Sequence, residues 1–285
     1  VPTFFFLSAY LFYRSFDGTW IQYVTKMKRR FWSLLVPYVI FITIGYCKAK
    51  AFNSLEIEGG GILGYLEFVW QSNTMPLWFI RELIIFSLLS PVIYQIKKSM
   101  LAVVVVSLTS IFLSIMGIVS YQSFLYWLPV YLMGAAFNKE SLTRMFSLFA
   151  QNKVKVLSFV SLLLYCLWAW FLPNGIEKGD TLLSLEYILF RTVTPLVLCF
   201  VLYLIMRADI HDRKWMHYSF FVYCMHAPVI ALLKIIYDRS AGKYIDLELF
   251  KYIFIISVTY TACVLVAMLL ERYTPRLWGL LNGNR

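Results

Sequence analysis

A chain of 285 residues that is 61% hydrophobic, 19% aromatic and 14% charged, with a mean hydropathy of +0.72, holds more apolar surface than a soluble core can bury. Soluble domains average about 45–50% apolar and ~25% charged residues, so the composition reads as an integral membrane protein and disfavours a soluble enzyme, a DNA-binding domain and a secreted disulfide scaffold. The net charge of +11 does not call for a nucleic-acid partner, because its placement follows membrane orientation.

The chain opens on residues 1–13, an apolar run shorter than the ~20 residues a span needs. It has no initiator methionine, basic leader or cleavable signal pattern, and it is expected to be a helix cut at its outer end. Residues 31–47 form the next uncharged run, and residues 77–96 are interrupted only by Arg81 and Glu82. Residues 99–138 carry no formal charge. As one helix they would be about 60 Å long at ~1.5 Å per residue, twice the ~30 Å hydrocarbon thickness. They are expected to form two helices, with Ser120, Tyr121, Gln122 and Ser123 as the turn. Runs over 156–176, 187–206 (interrupted by Arg191), 215–233 and 252–270 complete the set.

The expected fold is therefore all-α: one polytopic transmembrane bundle over residues 1–285, with nine visible helices and an N-terminally incomplete domain. If residues 14–30 lie in the cytoplasm and the helices alternate, cytoplasmic segments hold 17 cations and 5 acids, against 7 and 9 on the outer side. Such a surplus reports orientation and contact with anionic lipids, with the C-terminus expected in the cytoplasm; the chain is expected in the cytoplasmic (plasma) membrane. The five cysteines sit in apolar runs without paired spacing and read as inert small apolar residues. No His, Asp or Glu cluster has metal-ligand spacing, so no metal is expected.

An ionisable residue inside a span is a functional candidate. Arg81 and Glu82 sit about five residues, or ~8 Å, inside the outer end of their helix, with Arg191 at similar depth on another. Arg81 either snorkels outward with Glu82 as its neutraliser, or one of the two shares a polar cavity with Arg191. His226 falls about ten residues into its run, ~15 Å deep, and is either a proton-transfer group or an interhelical hydrogen-bond partner. His211 and His217 read as solvated. The basic run Lys26-Met-Lys-Arg-Arg precedes a span. It serves either as a stop-transfer anchor or, through Arg29 and Arg30, as a phosphate contact, since guanidinium forks bind phosphate bidentately. Pro37 is expected to kink the helix that follows, and Gly59, Gly60 and Gly61 read as a flexible outer turn.

Four stretches taken in order resemble the acyltransferase 3 family of membrane O-acyltransferases, which modify bacterial surface polysaccharides and related glycans. They are Phe4-Phe-Phe-Leu-Ser-Ala-Tyr-Leu-Phe, Lys28-Arg-Arg-Phe-Trp-Ser-Leu-Leu-Val-Pro-Tyr, Pro76-Leu-Trp-Phe-Ile-Arg-Glu-Leu-Ile-Ile-Phe-Ser-Leu-Leu-Ser-Pro and Ser219-Phe-Phe-Val-Tyr-Cys-Met-His-Ala-Pro. The resemblance implies a ten-helix bundle that moves an acyl group, usually acetyl from cytoplasmic acetyl-CoA, to a hydroxyl of a glycan or lipid-linked sugar acceptor. It also implies a catalytic histidine on a first helix upstream of Val1, so that the present fragment is expected to be inactive by itself. Arg30 matches the first arginine of the family's basic motif and Ser33 stands at the second; Ala9 stands where glycine is frequent. Arg81, Glu82 and His226 match polar motif positions. They are thereby expected to be active-site or cavity residues, with Arg30 and Arg29 as contacts for the donor phosphates. A glycan or lipid-linked intermediate transporter, using the same cavity without covalent chemistry, is the alternative reading.

Overall fold

The computed structural model describes residues 1–51, 61–71, 77–171, 181–207, 214–240 and 248–283. Among these the chain is helical and has no strand. The α-helices are α1 (Pro2–Tyr13), α2 (Trp20–Arg30), α3 (Val36–Ala51), α4 (Gly61–Gln71), α5 (Trp78–Leu88), α6 (Ser90–Ile96), α7 (Met100–Ile115), α8 (Phe124–Ala136), α9 (Lys139–Ala150), α10 (Asn152–Phe171), α11 (Thr181–Arg207), α12 (Ser219–Ser240), α13 (Glu248–Tyr273) and α14 (Pro275–Leu281). A π-turn, Phe31–Leu35, joins α2 to α3, and a 3₁₀ turn, Lys214–Tyr218, leads into α12.

The chain is an integral membrane protein of the all-α class. Among the described residues five helical stretches are long and apolar enough to cross a membrane: Trp20–Lys50, Asn152–Phe171, Ile188–Arg207, Met216–Tyr237 and Phe250–Tyr273. The pair α5 and α6 makes a sixth as one bent span, and α1, α7 and α8 are shorter apolar helices. The polar turn expected near residue 120 is present. Gly117 takes a positive φ of 71° beyond α7, and the Ser123 hydroxyl accepts the Leu125 N–H at 3.4 Å to cap α8.

Three features depart from the plain run-by-run reading. The run over 77–96 is broken at Leu89, and its two halves differ in direction by 69°. Pro91 supplies the cause, because it cannot donate to the Ser87 carbonyl and its ring crowds that position. The basic stretch before residue 31 continues the following span as helix, so that Trp20–Lys50 is one helical stretch of 31 residues. At Gly61 the chain takes a positive φ of 68° and then forms α4 rather than a loose turn; Gly59 and Gly60 lie outside the described residues.

Contacts divide the chain into two compact units, Val1–Lys26 with Ile85–His211 and Met27–Ile84 with Asp212–Arg285. The first is built on α1 against α8. Phe5 stacks on Trp127 at 5.2 Å and meets Phe86 edge-on, while Phe86 lies flat on Tyr131 at 4.0 Å. The backbones of the two helices close at Gly134, where any Cβ would strike the Phe6 carbonyl, the small-residue contact of membrane helices. α10 buries none of its residues and presents its apolar surface outward.

In the second unit α3 packs against α4 and α14, and α12 against α13. Phe221 is buried at its centre, with ring centroids 6.0 Å from Phe41 of α3 and 5.6 Å from Trp278 of α14. The Tyr38 hydroxyl donates to the Val69 carbonyl, and Thr43 shares a hydrogen bond with Tyr65 at 2.7 Å, which fastens α4 to α3.

Candidate active site

The second unit contains all five of the site residues expected from the sequence. Arg81 and Glu82 lie in the first turns of α5, where Leu77, Trp78, Phe79 and Ile80 are buried around them. Glu82 is only 1% exposed and Arg81 12%. One guanidinium edge goes to a single carboxylate oxygen: Arg81 Nε donates to Glu82 Oε1 at 2.8 Å and Nη2 lies 2.6 Å from it. The other oxygen, Oε2, is buried with no hydrogen-bond partner. A carboxylate in apolar surroundings normally fills both oxygens, so this one is an acceptor held in reserve.

Arg81 is further fixed by α4. Its Nη1 donates to the Trp70 carbonyl, and its guanidinium lies 5.7 Å from the Trp70 ring centroid. Trp70 is the penultimate residue of α4, where the last carbonyls lack partners within the helix and cations are favoured. With Tyr38 on the Val69 carbonyl, two of these end groups are satisfied by side chains from other helices.

His226 lies two turns into α12, half-buried. Its Nδ1 is 2.6 Å from the Tyr223 carbonyl. A carbonyl only accepts, so Nδ1 carries the proton, and in the neutral ring Nε2 is left as an acceptor. The Tyr223 ring is 5.8 Å from the imidazole and meets Phe79 of α5 edge-on at 5.7 Å. Tyr223 thus links the helix of His226 to the helix of Glu82. Pro228, two residues on, removes a further backbone donor from α12.

Arg29 and Arg30 end α2 in the same unit. Arg30 is half-buried while Lys28 and Arg29 are exposed, and the π-turn begins at the next residue. Such turns recur at functional sites. The cause of this one is visible in the sequence: Pro37 cannot donate to the Ser33 carbonyl four residues back, and its ring would clash there in a regular α-helix. The kink expected at Pro37 is thereby realised as an inserted residue just upstream.

Arg191, expected to share a cavity with Arg81 or Glu82, belongs to the first unit. Its guanidinium lies 4.5 Å from the Tyr121 centroid, 5.0 Å from Tyr126 and 5.2 Å from Trp127, and Nη1 donates to the Tyr126 hydroxyl. The adjoining void of about 10 Å³ holds at most one water. His217 is exposed in the 3₁₀ turn, and His211 lies outside the described residues. Among the described residues no three His, Cys, Asp or Glu side chains group as a metal site.

The partners Trp70, Tyr223 and Tyr126 were not singled out from the sequence. They are aromatic residues in apolar helices, where packing is their usual role, and only the tertiary arrangement sets them against the charged groups.

A family model described as an acyltransferase domain matches residues 1–272. The chain belongs to this family, the acyltransferase 3 family that its four stretches resemble, and it is a membrane acyltransferase. Neither a search of curated proteins nor a search of solved structures finds a match.

Proposed function

We propose that this acyltransferase moves an acetyl group from cytoplasmic acetyl-CoA to a hydroxyl of a cell-surface polysaccharide or lipid-linked glycan. The observation that carries the reading is the buried Arg81–Glu82 pair with one carboxylate oxygen unused. A sugar hydroxyl is a donor suited to that oxygen, and hydrogen bonds to charged groups in low dielectric are strong and directional. Glu82 orients the acceptor, and Arg81 holds the Glu82 side chain in place. His226, with Nε2 as acceptor, supports the site or relays its proton.

In the reaction the acceptor oxygen attacks the thioester carbonyl, a C–O bond forms, the C–S bond breaks, and the hydroxyl proton ends on the departing thiol. Arg30, with Arg29, contacts the donor phosphates at the cytoplasmic end; anionic lipids surround that face.

The test uses the full-length protein in nanodiscs, radiolabelled acetyl-CoA and an extracted glycan acceptor. Arg30→Ala is expected to raise the KM for acetyl-CoA about tenfold with little change in kcat, the loss of one charged contact of ~1.4 kcal/mol. Unchanged donor kinetics would reject the role of Arg30. Vectorial movement of glycan without an added acetyl group would replace transfer by transport.

A further inference from the structure

The π-turn that carries Arg29 and Arg30 is backed by the turn after α14. Gly283 takes a positive φ of 70° and lies so close to Ser33 that an added Cβ would stand 2.6 Å from its carbonyl oxygen, 2.9 Å from its Cα and 3.0 Å from its carbonyl carbon. The contact falls on the carbonyl that Pro37 prevents from entering a regular α-helical bond. Glycine is required there twice over, by its backbone conformation and by the absence of room.

Gly283 cannot retreat easily. Asn282 N–H donates to the Trp278 carbonyl at 2.8 Å, and its side-chain Nδ2 donates to the His217 carbonyl at 3.4 Å. Trp278 is wedged against Tyr218 and Phe221, each at 5.6 Å. The Tyr218 hydroxyl donates to Glu271 Oε2 at 2.6 Å, tying the start of α12 to the end of α13. A bulkier residue at 283 would therefore displace Ser33 rather than the turn that carries it.

The consequence follows from helix geometry. Each residue of an α-helix turns the chain by ~100°, so gaining or losing the residue inserted by a π-turn rotates everything before it by that angle relative to everything after. Residues 28–30 would face a different direction from α3.

We propose that Gly283 and the turn after α14 form a positioning element that locks the π-turn and so fixes the direction in which Arg29 and Arg30 meet the donor. This rests on the donor reading above. Gly283 touches no substrate; it acts through Ser33.

The experiment compares wild type, Gly283→Ala and Gly283→Val as full-length proteins in nanodiscs. Coenzyme A is the binding probe, and acetyl-CoA is used for kinetics. Gly283→Val is expected to weaken coenzyme A binding and raise KM at least tenfold while kcat stays within twofold, with Gly283→Ala intermediate. A separate readout places spin labels at Lys28→Cys and Arg276→Cys, both exposed, with Cys47 and Cys166 changed to serine. The label distance is expected to shift by at least ~5 Å in Gly283→Val, given a helix ~10–12 Å across. Unchanged distance in both variants overturns the lock. A shifted distance with unchanged coenzyme A affinity overturns its link to the donor. Failure of wild type to bind coenzyme A defeats the donor reading itself, while the distances still decide the lock. If the valine variant does not fold, the alanine variant carries the same comparisons.

Discussion

Two arginines lie in the interior of apolar helices, Arg81 in one unit and Arg191 in the other, and they are accommodated by different chemistry. Arg81 spends one guanidinium edge, Nε and Nη2, on one oxygen of Glu82 and its remaining nitrogen, Nη1, on the Trp70 carbonyl. Arg191 is met by three aromatic rings and a phenol oxygen. A carboxylate cancels the charge in one stroke, so the arrangement stands or falls with a single residue. Ring quadrupoles each contribute a fraction, about 0.5–2 kcal/mol per contact, so the second arrangement is shared and degrades by degrees. The paired site also leaves an unused acceptor, Glu82 Oε2, which a cage of rings does not supply.

The largest effect expected from this contrast is at Glu82. Glu82→Ala removes the carboxylate from a buried arginine and should cost about 3–5 kcal/mol, seen as loss of folded protein in size-exclusion yield and a large drop in melting temperature. The double variant Arg81→Leu with Glu82→Leu should recover most of that stability yet remain without transfer activity. An active double variant would remove both residues from the site.

In the cage, Tyr126→Phe keeps the ring and deletes the acceptor for Arg191 Nη1. It should cost about 1.5 kcal/mol, the low end for a hydrogen bond to a charged group, read as a shift in thermal midpoint. Smallest is Tyr121→Leu, which takes one partly exposed ring from the guanidinium and should cost ~0.5–1 kcal/mol. If Tyr121→Leu proves as damaging as Glu82→Ala, the cage is not graded and the contrast fails.

Much of this architecture was legible because charge is excluded from lipid-facing helix centres. The uncharged runs therefore marked the helices, and the four charged or titratable positions inside them marked the centres of interest. Residues whose role is set by neighbours remote in sequence were not legible. Pro37 announced a disturbance, but whether it became a kink or a π-turn depends on the space beside Ser33, which Gly283 occupies from the far end of the chain. Pro91 was an unread signal for the 69° break between α5 and α6. α9 was hidden because its apolar face is short, yet Phe146 and Phe149 lay it on Tyr203 and Phe200 of α11, and Asn138 caps it by accepting the Ser141 N–H at 2.7 Å.

The close approach of Gly134 to the Phe6 carbonyl has a consequence in time. During synthesis Gly134 emerges about 130 residues after Phe6, and at ~5–20 residues per second that interval is roughly 6–25 s. Throughout it the face of α1 that carries Phe5, Phe6 and Ala9, fully buried in the finished protein, has no α8 to meet. Assembly of the first unit is therefore paced by the ribosome, and α1 waits in the bilayer or beside the insertion machinery until the helix that completes its surface has been made.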